Sequence, residues 1–309
     1  YERLVHAAGS DPRWLEALDR FEAGLLHPGE IRVGLTRIRV DEVAELMARI
    51  GTRTIPWRDR RKAFVARLAN VHGLKEGDVS KAAAEVWPPL STDGAMRRLR
   101  SRAVLTDLGM DPDLIDEWLR DPVDGALLDE VRARVEGVPA TYGHVIVDEA
   151  QDLSLLQLRA VQRRSAGLTL VGDDAQRSTA NGLGLRAAAA QLEVDTAEMA
   201  TAYRMSAEIA AWLNDHAAAH GIDAVELLGI RPTGVEVAEV AGDRTTAEAR
   251  RTDLDGSWAN VALITAEDTW SHKGVEYDAV VVDTTDMDAA QIYLAASRAA
   301  HQLVIIHPG

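Results

Sequence analysis

The stretch His144-Val-Ile-Val-Asp148-Glu149-Ala-Gln151-Asp152 sets two adjacent acids at the end of three consecutive β-branched residues. Val145 to Val147 reads as a buried strand, and in an open α/β sheet the strand ends deliver side chains to the ligand crevice. An Asp in that place suits Mg2+, because a hard cation takes carboxylate oxygen. A Glu beside it suits activation of an attacking water. This is the layout of a Walker B element, and it points to nucleoside triphosphate chemistry. Taken alone, the pair also fits two acids at a helix N-terminus, where the backbone dipole favours negative charge.

Four further motifs follow in order. Leu170-Val171-Gly172-Asp173-Asp174-Ala175-Gln176 is a strand that ends in a glycine turn and a polar amide. Ala202-Tyr203-Arg204-Met205-Ser206 sets an arginine just ahead of a helix. His272-Lys273-Gly274-Val275-Glu276-Tyr277-Asp278 runs into the apolar stretch Ala279 to Val282. Tyr293-Leu-Ala-Ala-Ser297-Arg298-Ala299 closes the set. An arginine fork pairs bidentately with phosphate oxygens, which is what triphosphate chemistry asks of such residues. Structural salt bridges for Arg204 and Arg298, and an ordinary loop amide for Gln176, are the competing readings.

Five motifs in this order within residues 144–299 resemble the motor core of UvrD/Rep-type superfamily 1 helicases, whose DEAQD, GDxxQ, YR, KGLEFD and TRA motifs follow the same sequence. Here KGLEFD stands as KGVEYD and the threonine before the last arginine is Ser297. The finer similarity is to the HelD-type, RNA-polymerase-associated branch. It rests on Val86-Trp-Pro-Pro-Leu-Ser-Thr, on Leu127-Leu-Asp-Glu130, on Tyr142-Gly-His144, and on Trp57 to Phe64 behind a β-ribbon. Only 68 residues separate Arg204 from Lys273, too few for the large DNA-gripping insertion of UvrD and Rep.

The resemblance implies ATP and Mg2+ as cofactors. It implies that Asp148 holds the metal, that Glu149 polarises the water, and that Gln176 senses the γ-phosphate. Arg204 and Arg298 would reach that phosphate from a second domain, a role worth about 10³–10⁵ in rate in other systems. Gly274 would let backbone approach the nucleotide, Glu276 would bond the ribose, and Tyr203 would stack near it. The implied fold is α/β, with the RecA-like parallel sheets of P-loop NTPases: one incomplete at 141–195, one complete at 196–309, and a mostly helical insertion region with a short β-ribbon at 1–140. The implied partners are nucleic acid, DNA rather than RNA, and RNA polymerase; a monomer is expected.

Half of that chemistry is missing from these residues. A phosphate-binding loop needs G-x-x-x-x-G-K-[ST], and no Gly-Lys-Ser or Gly-Lys-Thr occurs. The chain opens on Tyr1, directly in a helical pattern, and reads as the C-terminal part of a longer protein whose loop lies upstream. The expectation is a chain that alone hydrolyses little or no ATP. A non-catalytic helicase-like module that binds RNA polymerase or another protein is the alternative.

The elements that must position these residues come in two styles. Before residue 140 the pattern is helical: 1–26, 42–50 capped by Asp41, 58–70, 80–86, 93–107, 113–119 and 125–135. Ile31 to Val40 alternates as a ribbon turning at Gly34. After Tyr142, strands expected at 145–147, 168–171, 235–240, 261–264, 279–282 and 303–306 alternate with helices at 155–164, 185–192, 207–220 and 289–300, which implies parallel sheet. Gly242 to Gly256 lacks a period and reads as loop. His216 and His220 stand four apart on a helix without a third ligand, so a solvated face outweighs a metal site. Trp57, Trp87 and Trp118 read as core or interface.

The 309 residues carry a formal net charge of −15, unevenly spread. Residues 1–140 hold 22 Lys and Arg against 24 Asp and Glu, and residues 141–309 hold 12 against 25. An acidic chain is a poor non-specific nucleic-acid binder, because phosphate neutralisation supplies most of that affinity. Local basic runs exist at Arg58, Arg60, Arg61 and Lys62 and at Arg97, Arg98, Arg100 and Arg102; solvated helix faces are the simpler reading. With no cysteine, no long apolar run and no signal peptide, disulfides, thiolate metal sites and a membrane span are not expected, and a cytoplasmic protein is.

Overall fold

A computed structural model describes residues 13–50, 55–107, 109, 111–120, 125–139, 141–179 and 182–309, with the backbone alone at 13, 113, 114, 117 and 118. The chain divides into two compact units. The first runs through Val147 and adds Leu153–Leu170 and Thr179–Leu183; the second holds Asp148–Asp152, Val171–Ser178 and Gly184–Gly309.

The first unit is mostly helical, with helices Arg13–Gly24, Val40–Ile50, Trp57–His72, Glu76–Ala82, Thr92–Leu99, Arg102–Asp107, Pro112–Arg120, Gly125–Val135 and Leu155–Arg164. The first twelve residues of the helix expected over 1–26 lie outside the described ones. Strands β1 (Ile31–Val33) and β2 (Thr36–Ile38) form the expected antiparallel ribbon, turned by Gly34 at φ +58°, a conformation that glycine adopts without a Cβ penalty. Asp41 does not cap the next helix, which already begins at Val40; it sits in the first turn and pairs with Arg39. The helix expected over 80–86 begins earlier, at Glu76, where Glu76 and Asp78 suit the first turn. The run expected over 93–107 breaks in two because the Ser101 hydroxyl donates to the Arg98 carbonyl and accepts from Val104 N, ending one helix and opening the next.

Two apolar cores fill this unit. One gathers Trp57, Phe64, Leu68, Val79 and Trp87 around the ribbon, with the Trp57 and Trp87 rings edge to face at 5.7 Å. The other gathers Trp14, Leu18, Leu99, Leu105, Leu127 and Leu156. Beside them lies a buried ion network. The Glu130 carboxylate, 1% exposed, takes Arg134 at 3.0 Å, Arg159 at 3.1 Å and Arg163 at 2.5 Å. Arg163 also reaches Asp129 at 2.6 Å, and Arg134 reaches Asp19 at 2.7 Å. Trp118's side chain lies outside the described residues. Strands β3 (Val145–Val147) and β4 (Leu168–Leu170) pair in parallel as a two-stranded sheet, joined by the helix Leu155–Arg164, whose start is fixed by a capping box between Ser154 and Gln157.

The second unit is α/β. Short strands β5 (Thr201–Ala202) and β6 (Leu228–Gly229) pair in parallel. Strands β7 (Ala238–Gly242), β8 (Val261–Ile264), β9 (Tyr277–Asp283) and β10 (Ala299–Pro308) form a fully parallel four-stranded sheet in the order β7-β10-β9-β8. Side chains alternate across it. Val280, Val282, Leu303 and Ile305 pack with Ile209 and Leu213 of helix Ala207–His220 and with Tyr293 and Ala296 of helix Ala289–Ala296. Ala279, Val281, Val304 and Ile306 pack with Ala247 and Leu254 on the other face.

Those last two residues belong to the helix Arg244–Asp255, where the sequence reading expects loop. Asp243 and Thr246 form its capping box, and only two of its twelve side chains are buried, so the apolar period is too sparse to register. The helix expected over 289–300 ends at Ala296, because Ala299 already pairs with Tyr277 as the start of β10. The expected α/β class, with parallel sheets and a mostly helical N-terminal region, is the architecture found. Among the described residues no helix is long and apolar enough to cross a membrane.

Candidate active site

The chemistry-bearing motifs meet within the second unit. Asp148 and Glu149 follow β3, and Glu149 has φ +53°, a left-handed conformation that costs a non-glycine residue about 1–3 kcal/mol and is held only where surroundings over-determine it. Here the Asp148 Oδ1 accepts from Glu149 N at 2.9 Å. The Glu149 Oε2 accepts from Gln151 Nε2 at 2.7 Å, and the wholly buried Gln151 accepts in turn from Asp173 N at 3.2 Å. The acid pair is thereby tied to the Gly172-Asp173-Asp174-Ala175-Gln176 turn. Gly172 is required by close approach: a Cβ there would collide with Gln151 Oε1 and crowd Ala150 N at 3.1 Å.

In that turn the Asp173 carboxylate accepts from Ala175 N and from Gln176 Nε2, each at 2.9 Å. Burial pushes the Asp173 pKa up, against the pull of those bonds. The Asp174 carboxylate accepts from Leu185 N at 2.5 Å and Arg186 N at 3.3 Å, holding the start of helix Leu185–Leu192. The Gln176 amide is therefore shared: its nitrogen donates to Asp173 and its Oε1 accepts from Arg298 Nη2.

Arg298 sits just past the end of helix Ala289–Ala296 and is 7% exposed. It donates to Ser297 Oγ at 2.9 Å and to the Leu294 carbonyl at 3.3 Å, and its own carbonyl receives Tyr277 N at 2.9 Å, anchoring it to β9. Burial pushes its pKa down; the Glu149 and Asp173 carboxylates oppose that. Among the described residues neither Arg298 nor Arg204 pairs directly with Asp148 or Glu149, yet Arg298 lies within electrostatic reach of Glu149.

The residue that sequence reasoning passed over is Lys273. Its Nζ donates to Asp152 Oδ2 at 2.5 Å and to the Gln176 carbonyl at 3.0 Å, and stands 3.2 Å from Glu149 Oε2. It joins the acid pair, the amide turn and its own motif in one node. Asp152 also accepts from Ser178 N at 2.8 Å and Ser178 Oγ at 2.6 Å. Burial pushes the Asp152 pKa up, but Lys273 and Ser178 outweigh it and the net shift is downward. Its place before Gly274 at the head of the KGVEYD motif was the available signal; in the structure Gly274 has φ +76°, with open space where a Cβ would point.

Arg204 and Glu276 are brought together with each other: the two exposed side chains form an ion pair. Tyr203 is 65% exposed. The carbonyls of Tyr203 and Arg204 accept from Arg231 at 3.3 Å, and Ser206 caps the following helix through Ile209 N. Asp148 is exposed and offers one carboxylate. That fits Mg2+, which takes one or two protein carboxylates and fills its shell with water and phosphate oxygens. His216 and His220 bond the backbone carbonyls of Ala289 and His216, with no metal-holding group of three ligands among the described residues.

No family model and no curated protein matches this chain. Among solved structures it is similar to arterivirus nonstructural protein 10, a helicase, at 15% identity and TM-score 0.36 over 56% of this chain and 41% of that one. The complex of that helicase with DNA gives 15% identity, TM-score 0.38, and coverage of 56% and 42%. The PRRSV helicase gives 15% identity, TM-score 0.39, and coverage of 63% and 44%. The chain spans less than half the length of these helicases.

Proposed function

We propose that this chain carries the catalytic acids and phosphate-sensing groups of a superfamily 1 helicase-like motor that couples ATP hydrolysis to nucleic-acid translocation or to remodelling of a transcription complex. The observation that carries the reading is the shared amide of Gln176, bonded to Asp173 on one side and to Arg298 on the other, with Lys273 tying the same turn to Glu149. An arginine that senses a terminal phosphate can move the acid-bearing turn only if something links the two, and Gln176 is such a link. The two RecA-like domains at 141–195 and 196–309 belong to this reading.

In it, Asp148 supplies a carboxylate to Mg2+, which would neutralise phosphate charge. Glu149 orients water through its free oxygen while Gln151 and Lys273 hold the other. Arg298 and Arg204 neutralise the terminal phosphate. Arg204 and Glu276 must part if one is to meet phosphate and the other ribose. Tyr203 offers an exposed ring beside them, and Gly274 an unobstructed backbone.

The 309 residues contain no phosphate-binding loop, so hydrolysis by this chain alone is expected at or near the buffer rate. Millimolar Mg2+-ATP should still slow hydrogen exchange at 148–152, 172–178 and 273–276, and Arg298→Ala should abolish that protection. No protection in the unsubstituted chain sinks the proposal, and a robust Mg2+-dependent ATPase rate refutes the inactivity expected of the chain alone.

The second reading, a non-catalytic module that binds RNA polymerase or another protein, is favoured by the acidity of residues 141–309 and by the same missing loop. Capture on core RNA polymerase, with no nucleotide-dependent protection, would select it.

A further inference from the structure

The helix Trp57–His72 carries one of the two basic runs of the first unit, and the structure sorts its residues. Arg60 is buried and pairs with Glu22 at 2.8 Å, so it faces the core. Arg58, Arg61 and Lys62 instead line a groove of about 360 Å³ together with Trp57, Glu76 and Ser80. Positions 58, 61 and 62 fall on one helical face within a single turn.

Arg61 is held as a fixed wall of this groove. Its Nε donates to the Trp87 carbonyl at 2.8 Å, its Nη1 to Ser80 Oγ at 3.1 Å and its Nη2 to the Ser80 carbonyl at 2.8 Å. All three acceptors are neutral, and of five guanidinium N–H groups two are left over. Burial pushes the Arg61 pKa down, and among the described residues no carboxylate lies within ion-pair distance. A partly desolvated cation without a counter-charge is costly, and an anion in the groove would relieve it. Lys62 stands exposed with no ion-pair partner among the described residues; Arg58 is exposed, pairs loosely with Asp59 at 3.9 Å and donates to the Glu136 carbonyl at 3.0 Å. Against these three cations the groove sets one acid, Glu76.

We propose that this groove binds the phosphodiester backbone of a nucleic-acid strand, with Arg58 and Lys62 as flanking cations and the guanidinium of Arg61 as the fixed donor between them. The groove is larger than one phosphate, and closely spaced cations along it match a polyanion. The proposal rests on the nucleic-acid side of the function proposed above and not on its nucleotide chemistry.

Fluorescence anisotropy with a labelled oligo-dT of twenty nucleotides tests it across a salt series. The double variant Arg58→Glu, Lys62→Glu should weaken binding about tenfold or more and lower the slope of log affinity against log salt by roughly 1.4, the share of two phosphate contacts on a single strand. The charge-matched control Arg97→Glu, Arg98→Glu, exposed on the helix Thr92–Leu99 and not lining the groove, should retain more of both. Equal losses in the two variants, or no binding by the unsubstituted chain, overturn the proposal. So does equally tight binding of poly-glutamate, which would assign the groove to acidic protein, or full displacement by millimolar inorganic phosphate, which would assign it to a small anion. ATP-dependent protection at 148–152 is read separately, so failure of the groove leaves the nucleotide reading standing.

Discussion

Val145-Ile-Val147 in β3 and Val280-Val-Val282 in β9 are near copies as sequence, and their surroundings differ completely. β9 is hydrogen-bonded on both edges and covered by helices on both faces, and its three valines are wholly buried. Among the described residues β3 has one strand partner, and its central Ile146 is 71% exposed. A β-branched run specifies an extended backbone; whether it is buried is decided by how many neighbours the sheet supplies. The two sheets are also held differently. The four-stranded sheet is stabilised by apolar packing, whereas the helix that joins β3 to β4 adds to its buried Leu156 and Leu158 the ion pairs of Arg159 and Arg163 with the carboxylates of Asp129 and Glu130.

The sharpest test of that difference is Ile305→Ala in β10, a side chain with no exposure in the core on one face of the sheet. Removing it should cost about 2–5 kcal/mol, the transfer loss plus a cavity in a site closed on both sides. Urea unfolding of the second unit, followed by hydrogen exchange across β9 and β10, measures it. A loss under about 1 kcal/mol would mean that this sheet is no better packed than the β3–β4 pair.

Acid should weaken the first unit through one buried carboxylate. Burial pushes the Glu130 pKa up, but the guanidinium groups of Arg159, Arg163 and Arg134 outweigh it and hold the folded-state value at about 2, below its ordinary 4.5. A carboxylate with a depressed folded pKa contributes stability that is fully present above the unfolded value and is lost as pH falls through the folded one. The first unit should therefore lose roughly 3 kcal/mol between about pH 4.5 and 2 from this group. Glu130→Gln should remove that dependence while lowering stability at neutral pH, since it strips the counter-charge from three half-buried guanidinium groups. Segment-resolved hydrogen exchange across that pH range measures both. An acid response confined to the second unit would break the contrast.

What the sequence discloses follows the same division. Ser206 with Ala207–His220 is legible because a local cap precedes the helix, and Leu185–Leu192 because its Ala- and Leu-rich residues favour helix although Gly184 offers no cap. The helix Arg244–Asp255 is not, because Ala247 and Leu254 alone face the sheet. Strands of two residues, β5 and β6, fall below any readable period. At the candidate site the motif order is legible from the chain. The meeting of Gln176 with Arg298 and of Lys273 with Asp152 is not, since 122 and 121 residues separate the partners. A lysine in a sequence reads as surface charge; only folding shows that Lys273 is enclosed by a carboxylate and a carbonyl.

The smallest expected effect is the most discriminating. Ile146→Ala deletes the same atoms as Ile305→Ala from an equally apolar strand, yet most of that side chain already meets water. The change in unfolding free energy should stay within about 0.5 kcal/mol, as for exposed positions that hold no cap, charge pair or cavity. A loss of 2 kcal/mol or more would show that something covers β3 in solution. The contrast between the strands would then reflect a missing neighbour, since an all-apolar parallel strand gains stability only when both of its faces are buried.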